Sequence, residues 1–557
     1  LVSKQPRSSQ RDSVLALGVG VTVALVYLLT LSGNHSETED SVNFARRIRD
    51  DPHSHFFEGA HVVFDWVAWA FYELVRATGI TQDPLRTVQV FDALLAGATV
   101  GLLAAVLASA GVSPAGRLVA CGTLAFSYSF WRNSIDVEVY TLSAVALVAS
   151  LGAAVRAAER PSERSFGLLG LLNGAAVLAH VTNVIFAPVA FVAVMRARRR
   201  RPEGGAARWF ASYAAAAVAV VVAVYAVAAA VLRLGSPREF WDWLTAETSG
   251  GGGYGSVSVH SAAEAVIGAG RGFVGAHSAL AIGAISRLER THFPSKPLRE
   301  EHYFLRGFSS SLAVVLLVGA AVIAVVAVIL AASWARRRSR PRVEGPTRTV
   351  AVLCATWLVV YAVFFAFWDP LNIELWYVVW IPAAVVLGLA AAGARPRPLL
   401  LYAGAALVVL LFAVNLVGSV LPQRANARDY WRTRAQWYVK HLHHDDLLIS
   451  YDYVWSSYLS YLTHGHVVDA QAIFKKMPRE EAARRVLRIA ESSHARRVYL
   501  SGYDFDPYPG DPAACDDGFH SCENAAALRR LLLPRAHLVA RTQLERVYVY
   551  ERSGPAA

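Results

Sequence analysis

Residues 310–338 read SSLAVVLLVGAAVIAVVAVILAASWARRR. The 24 residues before Trp334 carry no charge, and as a helix they measure about 36 Å, more than the ~30 Å of a bilayer's hydrocarbon. Three arginines follow at once. That order is the pattern of a membrane-crossing helix that ends on the cytoplasmic side. Working outward, comparable apolar runs occupy 14–32, 85–110, 116–131, 139–157, 209–233, 348–368, 375–393 and 398–420. One more run, 166–195, is too long for a single helix and is interrupted by His180, Thr182 and Asn183, so it reads as two short helices meeting at a polar turn. The expectation is a polytopic α-helical membrane protein with about eleven crossings.

Composition agrees. Of 557 residues, 55 % are hydrophobic and 17 % charged, more apolar than one soluble core requires. The net charge is +12, but the basic residues stand in short clusters between apolar runs. That distribution is topological and excludes a nucleic-acid partner. The first run follows Lys4, Arg7 and Arg11 and lacks a small-residue cleavage site, so it is expected to be a retained helix with a cytoplasmic amino terminus.

The stretch His61 to Thr78 is apolar but carries Asp65, Glu73 and Arg76. Helical spacing puts His61, Asp65, Trp69, Tyr72 and Arg76 on one stripe, which suits a helix lying in the membrane interface. Charge bias supports this. With that helix flat, the cytoplasmic segments hold 21 Lys and Arg, and 18 of them would face outside if it crossed. Three segments are therefore expected outside an inner or plasma membrane: 33–84, 234–309 and everything after about 421. Residues 1–420 form the membrane domain. Residues 421–557 form a soluble α/β domain, with strands at Leu447–Tyr451, His466–Ala470, Arg497–Leu500 and Val547–Tyr550. Of the four cysteines, Cys515 and Cys522 share a polar loop of that domain and are expected to form a disulfide in an oxidising compartment.

Chemistry concentrates at the external ends of the helices. The first loop, Ser32 to Ser41, contains Glu37, Glu39 and Asp40. Asp40 precedes a short polar helix pattern, so its carboxylate can sit at a helix start and still act as a general base; the bland alternative is a solvated acidic loop. A second cluster runs from Trp131 through Arg132, Asp136 and Glu138 to Tyr140. In an extended turn Asp136 and Glu138 point the same way and suit a divalent cation or an acceptor group, while Arg132 suits a phosphate. Further polar residues on this side are His53, His55, His61, His180, Asn183, Trp368 and Glu374, with Trp376 and Trp380 nearby. Singly each is weak, since tryptophans also form the ordinary interfacial belt. Together they mark a site between membrane and external water.

The order of an acidic first loop, an interfacial helix, the segment Trp131-x4-Asp136-x-Glu138-Val139-Tyr140-x-Leu142, and His180-Val181-Thr182-Asn183 resembles the membrane glycosyltransferases of the GT-C fold. It is most similar to the DUF2723 group, relatives of the protein O-mannosyltransferases. The resemblance covers about 1–200, with an echo at 366–380, and departs from the mannosyltransferase pattern at residues 55–61. It implies an inverting transfer of a sugar from a polyprenyl-phosphate donor to a protein, lipid or glycan acceptor on the extracytoplasmic side. It also implies Asp40 as the catalytic base, with Glu39 as its neighbour in competition. The leaving phosphate needs charge compensation, for which Arg132, Arg271 and the histidines are candidates. No covalent nucleophile is required and no cofactor is specified; a divalent cation, if used, falls to Asp136 and Glu138. The main competing class is a transporter or lipid flippase, which should show intramembrane charges and internal repeats. Asp92 is the clearest such charge, and no repeat is visible.

Overall fold

The computed structural model of the chain describes residues 6–36, 40–51, 53–245, 258–292, 299–338, 345–392, 397–463, 465–502 and 522–552. The chain divides into two compact units. The first comprises Leu1–Ser32, Asp51–Ala279 and Phe308–Leu421, and the second Gly33–Asp50, Leu280–Gly307 and Pro422–Ala557.

The first unit is helical. Among the described residues eight helices are long and apolar enough to cross a membrane: Gln10–Leu29, Pro84–Ser109, Tyr140–Glu159, Val181–Arg200, Ala206–Leu232, Ser310–Arg336, Pro346–Trp368 and Pro398–Gln423. The remaining three expected crossings also form helices, but shorter ones: Pro114–Phe126, Glu163–Ala179 and Tyr377–Ala391, of 13, 17 and 15 residues. They measure about 20–26 Å, less than the hydrocarbon thickness. Each shortening has a local cause. The expected span 116–131 breaks at Ser127, whose backbone is extended (φ −66°, ψ 138°), and a separate helix, Tyr128–Ile135, begins there. The long run 166–195 breaks at His180, as its polar residues imply. Tyr377–Ala391 has Pro382 in its interior and is buried along nearly its whole length, so protein surrounds it.

Small residues let helices close on one another. A Cβ at Gly97 would lie 2.7 Å from both the Ala24 Cβ and the Gly20 carbonyl oxygen, so the first span and Pro84–Ser109 meet at backbone distance there. The candidate interfacial segment forms a helix at Phe64–Ala77, 14 residues long and too short to cross. His61 precedes that helix and is not on its stripe.

The second unit contains a five-stranded sheet. In chain order the strands are β1 (Leu447–Ser450), β2 (His466–Asp469), β3 (Val498–Ser501), β4 (Ala536–Arg541) and β5 (Arg546–Tyr550). Their spatial order is β2-β1-β3-β5-β4, with β1 parallel to β2 and β3, and β5 antiparallel to β3 and β4. The parallel pairs need crossovers, which the helices Tyr453–Leu462 and Arg479–Ser492 supply. One face is sealed by Leu447, Ile449, Val486, Leu500, Leu528 and Leu532. The helix Tyr430–His441 is fastened by fully buried Arg434, which is ion-paired with buried Glu545, donates to Ser501 Oγ at 3.1 Å and lies 4.1 Å from the Trp455 ring centroid. The expected Cys515–Cys522 disulfide lies outside the described residues.

Candidate active site

In the first unit the short helix Tyr128–Ile135 turns Arg132 inward, where it is 3 % exposed. Its Nη1 donates to Asn133 Oδ1 at 3.3 Å and stands 3.8 Å from Glu374 Oε1. The Tyr140 hydroxyl donates to the other oxygen, Glu374 Oε2, at 3.4 Å. Glu374 itself is oriented by its backbone N–H, which donates to Asn372 Oδ1 at 3.0 Å. The Tyr140 ring packs against His180 and Tyr377, with centroids 5.4 and 5.1 Å away. His180 shares a 2.7 Å hydrogen bond between Nδ1 and Thr182 Oγ1. The N–H of Val181 donates to the Ala60 carbonyl at 2.8 Å, so the stretch just before the helix Phe64–Ala77 reaches this turn. His61 lies there, 3.3 Å through Nε2 from Glu58 Oε2.

Four segments distant in sequence thus converge, bringing together Arg132, Tyr140, His180 and Glu374, with His61 beside them. A guanidinium held largely out of water is suited to an oxyanion such as phosphate, and the tyrosine and histidines add hydrogen-bonding groups for a polar ligand. Arg271 approaches the same short helix from another side. Its Nη2 is 3.4 Å from His277 Nε2, and the His277 ring meets Tyr128 edge-on at 5.1 Å. A Cβ at Gly272 would lie 3.5 Å from Ser129 Oγ, which shows how closely the helix carrying Arg271 packs here.

Asp136 and Glu138 are each 2 % exposed. Asp136 caps the end of the Arg132 helix in extended conformation, and its Oδ1 accepts from the Val137 N–H at 3.0 Å. The Glu138 N–H donates to Asp92 Oδ2 at 3.1 Å, and the Thr141 hydroxyl donates to Asp92 Oδ1. The Asp92 carboxyl group is therefore bonded to the turn and to the start of the next span. Among the described residues no group of three or more His, Cys, Asp or Glu side chains is arranged to hold a metal ion.

Three other candidates stand apart. Asn183 is buried and tied to the helix junction, donating to Ser143 Oγ at 2.6 Å and the Ala176 carbonyl at 2.8 Å, and accepting from the Tyr361 hydroxyl at 3.3 Å. Trp368 stacks on Phe364 and helps to line an apolar groove of about 340 Å³ with Ile185 and Phe367. His55 is exposed, 3.5 Å through Nδ1 from Asp51.

Asp40 belongs to the second unit. It is exposed and is the first residue of the helix Asp40–Asp50, where the helix dipole favours a negative charge. The helix is amphipathic and buries Val42, Phe44 and Ile48. It is held to Tyr453–Leu462 by the Ser457 hydroxyl on Asn43 Oδ1 at 3.3 Å, and by Arg49, which donates to the Tyr461 carbonyl at 3.1 Å and covers that ring at 4.4 Å. Glu39 lies outside the described residues. Tyr377 and the bonds made by Asp92 had no sequence signal as parts of this site: both reside in apolar runs that the membrane alone explains.

Residues 73–203 match the family model of the protein O-mannosyl-transferase TMEM260 N-terminal domain. A comparison with curated protein sequences finds no match. The chain superposes on ArnT from Cupriavidus metallidurans bound to undecaprenyl phosphate with a TM-score of 0.57 and 14 % identity, covering 96 % of this chain and 98 % of that one. For the same protein in the apo state the TM-score is 0.55 at 13 % identity, covering 96 % and 97 %. A match to the S. cerevisiae Pmt1–Pmt2 protein O-mannosyltransferase complex bound to the sugar donor covers 41 % of this chain and 34 % of that one, with 15 % identity and a TM-score of 0.32, too low to carry weight. The chain has the GT-C fold expected from the sequence, and the expected resemblance to the protein O-mannosyltransferases is matched over residues 73–203.

Proposed function

We propose that the chain transfers a sugar, with inversion, from a polyprenyl-phosphate donor to a hydrophilic acceptor on the extracytoplasmic side of the membrane. The observation that carries this reading is buried Arg132, set against Glu374 and Tyr140 at the ends of apolar helices, within a fold shared along nearly its whole length with a protein that was solved with undecaprenyl phosphate. A lipid-linked phosphate enters such a place laterally from the bilayer, and the acceptor arrives from water.

In the reaction the acceptor hydroxyl loses its proton to the Asp40 carboxylate while its oxygen bonds to the anomeric carbon. The bond from that carbon to the phosphate oxygen breaks, and the polyprenyl phosphate leaves with the electron pair. Arg132, with Arg271 as second cation, offsets the charge on the leaving phosphate. One base suffices for inversion, and no covalent intermediate forms. Asp136 and Glu138 shape the turn beside Arg132, and a divalent cation, if one takes part, falls to them. The amino terminus is cytoplasmic and the second unit extracytoplasmic in this scheme.

The test is transfer by the purified full chain in lipid nanodiscs, using a panel of polyprenyl-phosphate sugars with protein, lipid and glycan acceptors. Label should move to an acceptor only from a lipid-phosphate donor. Transfer from nucleotide sugars alone, or transport of the lipid without transfer, would overturn the reading.

A further inference from the structure

Asp429 lies in the second unit with no exposed surface, at the start of the helix Tyr430–His441. Its carboxylate accepts three hydrogen bonds: from the Arg432 N–H at 2.8 Å, which caps its own helix, from the His35 N–H at 3.0 Å, and from the Tyr458 hydroxyl at 3.4 Å. The first external loop is fastened at other points as well. The N–H groups of Gly33 and Asn34 donate to the Gln423 carbonyl at 2.9 and 2.8 Å, and the Tyr430 N–H donates to Ser36 Oγ at 3.3 Å. On the other side of Asp40, the helix Asp40–Asp50 is held by Ser457 and Tyr461 of Tyr453–Leu462, the helix that also supplies Tyr458.

From this geometry we infer that Asp429 is a positioning residue for Asp40: one buried carboxylate joins the loop before Asp40 to the helix that grips the segment after it. The inference rests on the reading of Asp40 as the base. It gives the carboxy-terminal domain a task in the reaction, that of a platform for the acid. A cap alone needs only the Arg432 N–H; the bonds to His35 and Tyr458 go beyond capping. Burial raises the Asp429 carboxyl above the ordinary carboxylate range, opposed by His35, by the backbone N–H groups of Arg432 and His35, and by the Arg432 charge. A charge kept in such surroundings needs all its donors, so the three bonds hold one another in place.

The test compares wild type, Asp429→Ala, Asp429→Asn and Tyr458→Phe as full-length purified protein, with Asp469→Asn as a control elsewhere in the same unit. Hydrogen exchange over residues 33–50 and the kinetics of transfer are both read. Asp429→Ala should speed exchange in 33–50 while β1 and β3 stay protected, and should lower kcat by about tenfold to a hundredfold with donor KM within about twofold. Asp429→Asn should recover part of both, and the control should neither speed exchange in 33–50 nor lower kcat. If Asp429→Ala does not fold, Tyr458→Phe should show the same pattern more weakly. Unchanged exchange in 33–50, or faster exchange with unchanged kcat in an enzyme that Asp40→Asn inactivates, would overturn the inference. Full activity of Asp40→Asn would instead defeat the reading of Asp40, and the exchange result would still decide whether Asp429 holds that segment.

Discussion

Arg132 and Glu374 stand 3.8 Å apart, the arginine 3 % and the carboxylate 21 % exposed at the side chain. Removing the carboxylate leaves a buried cation short of its counter-charge. Glu374→Ala should lower stability by about 1–3 kcal/mol, less than for a fully buried pair because Glu374 is partly wet. It should also raise the donor KM, since Arg132 loses its orientation. Glu374→Gln keeps an acceptor for Tyr140 and should lie between the two. Thermal melts and donor titrations of the purified variants check this; an Ala variant as stable as wild type would remove the pair from the account.

Asp92 joins its span to the Glu138 turn through both carboxylate oxygens. Asp92→Ala strands the Glu138 N–H and the Thr141 hydroxyl in a buried place, at a cost of about 1–3 kcal/mol for each group left unsatisfied. Asp92→Asn retains one acceptor and should be milder. Unfolding in detergent, with activity measured alongside, checks the order Ala below Asn below wild type.

How far the sequence could be read depends on the scale of the feature. The break at His180 was legible because polar residues interrupt an apolar run, whereas the break at Ser127 was not, since Phe126-Ser127-Tyr128-Ser129-Phe130 is apolar enough to continue a helix. β4 escaped notice for the opposite reason: it is an edge strand whose side chains are mostly exposed, so Ala536–Arg541 shows no buried alternation. Arg132, Tyr140, His180 and Glu374 were legible as candidates because polar groups at apolar helix ends need a reason. Their pairing was not, because it depends on tertiary packing that brings the 369–376 turn onto Tyr128–Ile135. Asp429 was not legible at all, because only the fold brings His35 and Tyr458 to it.

Asp469 titrates in the second unit with a pKa raised to about 6, chiefly by burial, against backbone hydrogen bonds from Ala472 and Gln471. A carboxyl raised above its ordinary value near 4 binds its proton more tightly when folded. Its contribution is therefore largest below about pH 4, declines as pH rises towards about 6, and is constant above. Asp469→Asn, which keeps the cap on the Ala472 N–H, should flatten that part of the stability profile and gain about 1–2 kcal/mol at neutral pH, allowing for partial exposure. Melts of wild type and variant across that interval check it; an unchanged slope would show that another group dominates.

The arginine clusters make the proposed topology directly testable. Reporter fusions after Arg201 should read cytoplasmic and those after Gly465 extracytoplasmic. A cytoplasmic Gly465 would reverse the scheme and place the second unit on the wrong side for the proposed acceptors.

The central claim is that Asp40 removes the acceptor's proton, and the direct measurement is the transfer rate of Asp40→Asn beside wild type and Glu39→Gln, with donor binding measured on the same samples. Asparagine keeps the shape at the helix start but cannot take the proton, and loss of a general base typically removes about 10²–10⁴ in rate. Asp40→Asn should fold, bind donor as wild type does and lose transfer to that extent, while Glu39→Gln stays active. Loss in Glu39→Gln with full activity in Asp40→Asn would move the base by one residue, and full activity in both would contradict the account by taking this loop out of the reaction.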